Sequence, residues 1–385
     1  MASTTEERAR ELAGDVTRCA ERTERERQVP GELLKDLAAS GCLRMAAPRE
    51  HGGDELPLPD VLGVVAELAR ADGAVGWTVG QAAMAQVVLS RFPRETIDTV
   101  YAAGCDVVGA GAAAPKGKAR KAEHAWRVSG RWPFATGIGH ASWFYGQCVA
   151  FGPGVPEGSG GVPATRMALL WPAEYTVLDT WNATGLCGTG SHDVVAHRLD
   201  CPAERTAVLS GSSPTLDRPA YRVPAVEYSG MVVAASGVGI AAGAVEDVLE
   251  LATGGRRPSF SPRKLADSPV FQDRVGAALL EAEAARALLH RLAGLLHAHA
   301  GKGTVPSVEE RALVRGGCHH IAAAVTRVVD TAHTLAGSSG VYIGAPIERR
   351  LRDVHTLTQH ATTARESVKV LGATRVGEID PSLTW

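Results

Sequence analysis

Hydrophobic positions in the first hundred residues recur at helical spacing. Leu12, Val16 and Cys19 lie three or four residues apart, downstream of a Thr4-x-x-Glu7 pattern that is typical of a helix N-terminus. Further helical patterns span residues 30–41, 59–70 and 73–89, and glycine ends the first of them. The pattern predicts an all-helical N-terminal domain over residues 1–104.

From Cys105 onward the apolar runs become short and are broken by Gly and Pro, which is typical of strands. Large rings pack well on a pleated surface, and four of the seven tryptophans lie in or beside these runs. The runs are residues 106–108, 126–128, 143–150, 166–171 and 194–199. They predict a small central β-domain, a barrel or sandwich, over residues 105–222.

Longer helical patterns return after about Val226. Ser268-Pro269 and Ser307-x-x-Glu310 are typical helix starts, and Gly337 is a typical stop. Residues 230–251 are apolar on nearly every side and rich in Ala and Gly, which indicates a central helix that its neighbours approach closely. The pattern predicts a C-terminal helical bundle over residues 223–385, and therefore an α+β fold.

Composition narrows the classes of partner. The formal charge of −2, with both signs interspersed, argues against a nucleic acid or an anionic membrane as partner. Seven scattered cysteines without a C-x-x-C pair suit a reducing compartment and favour neither disulfides nor structural zinc. No apolar run is expected to reach the ~20 residues that span a bilayer. We therefore expect a soluble, cytoplasmic protein.

Several common motifs occur in the sequence without the structural context that their usual function requires. Two G-x-G-x-x-A matches begin at Gly109 and Gly237, but a basic loop follows the first and the second lies within a predicted helix, so neither favours a nicotinamide-binding unit. The pairs His319-His320 and His355 with His360 lack the spacing that places two imidazoles on one helix face. No metal site is expected.

Two glycine-flanked segments carry small hydroxyl residues. They are Gly130-Arg131-Trp132-Pro133-Phe134-Ala135-Thr136-Gly137 and Gly188-Thr189-Gly190-Ser191-His192-Asp193. Glycine lets the main chain approach a flat ring closely, and Thr or Ser can hydrogen-bond its nitrogens and carbonyls. A flavin is the ring that we propose, and ordinary turns between strands are the alternative.

Three further motifs occur in a fixed order along the chain. They are Pro48-x-x-His51-Gly52-Gly53, Ala71-Asp72-Gly73-Ala74-Val75-Gly76-Trp77 and Arg352-Asp353-x-His355-x-x-x-x-His360. Together with the glycine-flanked segments they make essentially the whole chain resemble the acyl-CoA dehydrogenase superfamily. More narrowly, the chain resembles its two-component flavin-dependent monooxygenases, which include oxygenases of dibenzothiophene, phenols and secosteroids and the amino-sugar nitrososynthases. The resemblance implies an N-terminal helical domain, a central β-domain and a C-terminal four-helix bundle that assembles a homotetramer.

The resemblance also implies roles for individual residues. Phe134 would pack near the flavin ring. Thr136 would hydrogen-bond around the N5 and C4 carbonyl edge of the ring, and Ser191 would contribute a second hydroxyl beside it. Arg257 would meet the flavin phosphates, with Arg256 or Arg263 as alternatives because the register is loose there. The turn that begins Gly337-Ser338 would approach the nucleotide tail, and the choice between FAD and FMN stays open.

His360 is the expected acid or base. Dehydrogenases of this superfamily need a carboxylate base, commonly a Glu after the Arg-Asp motif, but residues 356–365 contain no acidic residue. The monooxygenases carry a histidine in the place of His360. An imidazole with its ordinary pKa near 6.5 can accept a proton or hydrogen-bond a peroxide near neutral pH.

The resemblance implies a reaction that needs a partner protein. Reduced flavin (FADH2 or FMNH2), delivered by a separate NAD(P)H:flavin reductase, would react with O2 to give a C4a-hydroperoxide, with His360, Thr136 and Ser191 as the catalytic set. The expected substrate is a cyclic, aromatic or polyketide-type small molecule. An amine or amino sugar oxidised at nitrogen, an acyl-CoA dehydrogenase with an unrecognised base, and a flavin-free scaffold are the alternatives.

Overall fold

The computed structural model describes residues 4–158, 163–209, 213–257 and 262–378. Its first helices are α1 (Thr5–Glu26), α2 (Gly31–Ala39), α3 (Leu58–Ala71), α4 (Gly73–Leu89) and α5 (Arg94–Tyr101). The predicted capping box is present, because the Thr4 hydroxyl accepts from the Glu7 amide while the Glu7 carboxylate accepts from the Thr4 amide. Helix α5 was not predicted from the pattern.

The middle of the chain forms one seven-stranded sheet. Its strands are β1 (Val108–Lys121), β2 (Ala125–Ala135), β3 (Ala141–Phe151), β4 (Thr165–Leu170), β5 (Thr176–Leu178), β6 (His192–Pro202) and β7 (Thr206–Ala207). The strand order is β5-β6-β2-β1-β3-β4-β7, in which β1 and β3 pair in parallel and the other neighbours are antiparallel. The sheet places the end of β2 beside the start of β6.

Strand β1 is much longer than the predicted run 106–108. Its glycines and alanines have low strand propensity, so the pattern gave no strand signal there. In the fold these glycines make room for aromatic rings: a Cβ on Gly109 would collide with Trp143, and a Cβ on Gly111 with Tyr145. The G-x-G spacing in this segment therefore serves ring packing within a sheet.

The C-terminal residues form helices α6 (Ala225–Thr253), α7 (Pro269–Lys302), α8 (Val308–Ala336), α9 (Pro346–Leu357) and α10 (Glu366–Arg375). The predicted starts of α7 and α8 are confirmed, since Ser268 caps α7 and Ser307 with Glu310 forms a capping box on α8. Helix α8 packs against α6, α7, α9 and α10. The chain thus has N-terminal helices, a central sheet and a C-terminal helical domain, whereas the boundaries at residues 104 and 222 stay predictions.

Helix α6 is the centre of the packing between the two helical parts. It is long and apolar enough to cross a membrane, with a mean hydropathy of 1.6, but 78% of that window is buried inside the fold. The expectation that no run reaches this length is therefore wrong for α6, whose length and apolarity serve the core. A Cβ on Gly239 would collide with the Ala66 carbonyl of α3, which confirms the predicted close approach.

We predict that Gly239→Ala destabilises the protein by about 1–3 kcal/mol, because the added methyl meets main-chain atoms that cannot move aside. The matched control is Gly276→Ala on α7, where an added Cβ meets nothing within 4 Å. That change should be neutral or stabilise by up to about 1 kcal/mol, since Ala is the better helix former. Urea unfolding measures both, and equal stabilities would contradict the proposed tight contact.

Candidate active site

Three buried hydroxyl groups form a continuous chain at the junction of β2 and β6. Pairing of Ala135 with His192 brings Thr136 beside Ser191, and their side-chain oxygens lie 2.9 Å apart. Ser191 Oγ lies 2.7 Å from Thr189 Oγ1, which in turn donates to the Leu186 carbonyl at 2.8 Å. We call Thr136, Ser191 and Thr189 the hydroxyl chain. The structure thus brings together two of the predicted site residues and adds Thr189.

Trp77 joins the hydroxyl chain to His360. The indole Nε1 of Trp77 donates to Thr136 Oγ1 at 3.3 Å, and its ring meets the His360 imidazole edge-on with centroids 5.5 Å apart. Helix α4 carries Trp77 and is capped by the Asp72 carboxylate, which accepts from the Val75 amide at 3.0 Å. Sequence reasoning used Trp77 only as part of a family motif and did not assign it to the site.

His360 lies between α9 and α10, where its side chain caps a single turn of 3-10 helix. The imidazole Nδ1 accepts from the Thr362 amide at 3.3 Å and lies 2.8 Å from the Thr362 hydroxyl. Since Nδ1 accepts, the ring proton sits on Nε2. Burial lowers the pKa of His360 to about 4, so the ordinary value near 6.5 that we expected does not apply. His360 is a neutral hydrogen-bond donor at neutral pH.

Phe134 stands at the exposed end of β2. Its side chain is 69% exposed and its φ is +63°, a left-handed conformation that is uncommon for an aromatic residue. The ring meets Trp181 edge-on at 6.2 Å, and Trp181 Nε1 donates to the Leu186 carbonyl at 3.2 Å. A solvent-facing aromatic surface therefore borders the loop that carries Thr189.

A buried carboxylate fixes that loop. Leu186 has a left-handed φ of +51°, and the Asp353 carboxylate of α9 accepts a hydrogen bond from its amide at 2.6 Å. Asp353 and Asp72 are both buried, and burial raises the pKa of each, with the charge of Asp72 as the second cause at Asp353. The Arg349 guanidinium lies 3.7 Å from Asp72 and opposes the rise there. Sequence reasoning quoted the Arg-Asp motif without this role.

The predicted phosphate contacts form a separate group. Arg256 donates to the Ser338 hydroxyl at 2.9 Å, whereas Arg257 donates to the Pro262 carbonyl. Gly337 follows α8 directly, with a φ of +57°. In the described part of the chain it is therefore Arg256, the stated alternative, that meets Ser338, and the role of Arg257 stays a prediction.

The chemistry of these groups fits a flavin. Thr136 and Ser191 present oxygen lone pairs from a buried position, and His360 presents an N–H. The exposed Phe134 ring offers an apolar surface of the kind that packs on an isoalloxazine. This set of donors, acceptors and apolar surface can hold and orient a planar polar ring.

Comparisons with known proteins identify the family of this chain. Residues 3–101 match the family described as "Acyl-CoA dehydrogenase, N-terminal domain", and residues 231–365 match "Acyl-CoA dehydrogenase, C-terminal domain". The chain is 28% identical to indole-3-acetate monooxygenase of Pseudomonas putida, covering 92% of this chain and 89% of that protein. It is 27% identical to the FADH(2)-dependent resorcinol hydroxylase, oxygenase component, of Rhizobium sp. (strain MTP-10005), covering 93% and 90%.

The fold is also similar to that of a solved structure. The crystal structure of 3-HSA hydroxylase from Rhodococcus sp. RHA1 superimposes with a TM-score of 0.91, at 24% identity and with full coverage of both chains. At that identity the likeness supports the fold, whereas the two matching families support the superfamily and the relatives support the branch. The chain belongs to the acyl-CoA dehydrogenase superfamily, in the branch of the flavin-dependent monooxygenase oxygenase components.

Proposed function

We propose that this oxygenase component uses reduced flavin and O2 to hydroxylate a cyclic, aromatic or polyketide-type small molecule. The observation that carries the proposal is the buried connection from the hydroxyl chain through Trp77 to a neutral His360. Trp77 alone separates Thr136, which can hold a flavin edge, from His360, which can act on substrate. The name of the Rhizobium relative supports FADH2 as the form of cofactor, with FMNH2 as the alternative.

Each group of the site has a distinct task in this proposal. Bound reduced flavin supplies the electrons that activate O2, and the protein supplies orientation and proton control. Thr136 and Ser191 hold the ring edge, and their burial keeps water from it. Because the His360 proton sits on Nε2, the side chain is set to donate a hydrogen bond to an oxygen. Proton abstraction by His360 would require release of Nδ1 from Thr362.

Two observations support an aromatic substrate. Trp77, Phe134 and Trp181 give the site three aromatic rings, which suit stacking or edge contacts with another ring. The relatives' names specify indole-3-acetate and resorcinol as the molecules that those proteins act on. Oxidation of an amine or amino sugar at nitrogen is the rival within this class, and product analysis distinguishes a hydroxylated ring from an oxidised nitrogen.

Two kinds of protein contact belong to the proposal. The reductase is expected to be a separate protein, because the G-x-G segments serve packing in β1 and α6. Assembly as a homotetramer is supported by an exposed apolar run after α8, in which Val341, Tyr342 and Ile343 are 69%, 75% and 90% exposed. A cytoplasmic location stays a prediction from composition.

The carboxylates near the site do not support the alternative that the chain is an acyl-CoA dehydrogenase. Asp353 accepts from the Leu186 amide and Asp72 from the Val75 amide, so both carboxylates hold main chain. Residues 356–365 contain no acidic side chain. The local geometry therefore favours oxygen chemistry that relies on hydroxyl and imidazole groups.

We predict that rapid mixing of the chain, loaded anaerobically with FADH2, with O2-saturated buffer gives a transient absorbance that matches neither reduced nor oxidised flavin. The site is expected to delay the return to oxidised flavin because water is kept from the ring. FADH2 mixed with the same buffer without protein is the control. A direct, single-step return to oxidised flavin at the control rate would overturn the proposed function.

We predict that His360→Ala lowers hydroxylation by about 10²-fold or more, with flavin affinity nearly unchanged, because the variant loses the only proposed acid–base side chain. Indole-3-acetate and resorcinol are the first probes. The matched control is His355→Ala on α9, which removes an exposed imidazole paired with Asp330 at 2.9 Å. Turnover that survives His360→Ala as well as it survives His355→Ala would remove His360 from the mechanism.

We predict that no step in the single-turnover hydroxylation rate of the pre-reduced complex between pH 8 and pH 6 belongs to the ionisation of His360. Because burial lowers the pKa of His360 to about 4, the imidazole keeps its neutral form throughout this range. Activity assigned to this group should fall only as the pH approaches that value, where the ring becomes protonated. A break near pH 6.5 that His360→Ala abolishes would contradict the lowered pKa.

A further inference from the structure

The hydrogen bonds of the hydroxyl chain run in one direction. The Leu186 carbonyl oxygen can only accept, so the Thr189 hydroxyl, 2.8 Å away, must donate to it. With its one proton committed, Thr189 accepts from Ser191 at 2.7 Å. Ser191 in turn accepts from Thr136 at 2.9 Å. The Leu186 carbonyl therefore determines which hydroxyl group donates in each of the two hydroxyl pairs.

With this direction of hydrogen bonding, Thr136 and Ser191 can offer a ligand only oxygen lone pairs. Thr136 Oγ1 donates to Ser191 and accepts from Trp77 at 3.3 Å, which leaves it one free lone pair. Ser191 Oγ accepts from Thr136 and donates to Thr189, which also leaves one. Both hydroxyl groups are thus hydrogen-bond acceptors toward anything that lies against them.

We infer that Thr189 is a positioning residue that makes the hydroxyl chain selective for reduced over oxidised flavin. The inference rests on the proposed function and deepens it. Reduced isoalloxazine carries an N–H at N5, which a free lone pair on Thr136 or Ser191 can accept. Oxidised isoalloxazine has a bare nitrogen at N5 beside the C4 carbonyl, so its lone pairs would face the free lone pairs of Thr136 and Ser191 with no proton between them.

The surroundings of Leu186 keep the chain from reversing. To donate to oxidised flavin, Thr136 would have to turn its proton away from Ser191, which leaves two oxygens 2.9 Å apart without a proton between them. Reversing the whole chain only moves this cost to the Thr189 hydroxyl and the Leu186 carbonyl, whose oxygens are 2.8 Å apart. The carbonyl cannot withdraw, because the same residue is held by Asp353 at its amide and Trp181 Nε1 at its oxygen. Thr189 is 2% exposed, so solvent cannot take the place of the carbonyl.

The test is Thr189→Val, an isosteric change that removes the hydroxyl group whose bond to the Leu186 carbonyl sets the direction of the chain. The Leu186 carbonyl keeps its bonds from Trp181 Nε1 and the residue 189 amide, so nothing buried loses its only partner. Ser191 can then donate to Thr136, and the Thr136 proton becomes available to oxidised flavin. We expect the ratio of the Kd for oxidised FAD to the Kd for FADH2 to fall by about tenfold or more, mainly through tighter binding of oxidised FAD.

The midpoint potential of bound flavin gives an independent readout. A tenfold fall in that ratio corresponds to a shift of about 30 mV to lower potential for a two-electron couple. Thr189→Ser keeps the hydroxyl and should retain the wild-type ratio and potential. Ser191→Ala also frees the Thr136 proton and should move both quantities in the same direction as Thr189→Val, which covers the case in which the valine variant does not fold.

The outcomes separate this inference from the proposed function. Wild-type protein that binds neither redox form of FAD would overturn the proposed function itself. Wild-type protein that prefers FADH2, together with Thr189→Val and Ser191→Ala variants that keep the wild-type ratio, would overturn only the role of Thr189. Equal weakening of both redox forms in the folded valine variant would likewise overturn it, because a loss of shape alone does not discriminate between them.

Discussion

The hydrogen bond from the Leu186 amide to the Asp353 carboxylate is the contact on which the site depends. It crosses from the loop before β6 to helix α9, and so fixes the sheet against the helical part that carries His360. It also holds Leu186 in a left-handed conformation that costs a non-glycine residue about 1 kcal/mol or more. A buried carboxylate is a strong acceptor for such a backbone amide, so the strained turn persists and its carbonyl keeps one orientation.

That fixed carbonyl explains how distant segments build one site. Thr136 comes from the end of β2, Thr189 and Ser191 from the loop before β6, Trp77 from α4, and His360 from the end of α9. Asp72 caps α4 and Asp353 holds the loop, so two buried carboxylates position groups on either side of the hydroxyl chain. The glycines of the loop let main chain pass where a side chain would collide: a Cβ on Gly188 would meet Thr23 of α1. Geometry in the site therefore follows from packing between all three parts of the chain.

Local signals in the sequence were sufficient for some elements and insufficient for others. Capping boxes at Thr4 and Ser307 predicted helix starts correctly, because a cap is satisfied by residues three positions away. Strand β1 was predicted only as the short run 106–108, since its glycines and alanines carry little strand signal and make room for Trp143 and Tyr145 on a neighbouring strand. The family resemblance supplied Thr136, Ser191 and His360. Thr189 stood in a glycine-flanked segment without an assigned role, although its side-chain bonds to Leu186 and Ser191 are local in sequence. Trp77 entered the site only through contacts with Thr136 and His360, which lie far away along the chain.

The same dependence on distant contacts accounts for the change in the chemistry of His360. A histidine at the end of a helix would ordinarily titrate near neutral pH, and that property made it attractive as a base. Burial lowers the pKa of His360 and keeps the imidazole neutral, and because the Thr362 amide occupies Nδ1, the ring proton is directed from Nε2. The site therefore offers hydrogen-bond acceptors from the hydroxyl chain on one side and the N–H donor of His360 on the other. Such an arrangement suits a ring that must donate at one atom while a neighbouring oxygen accepts, which is the demand that oxygen activation at a reduced flavin makes on a protein.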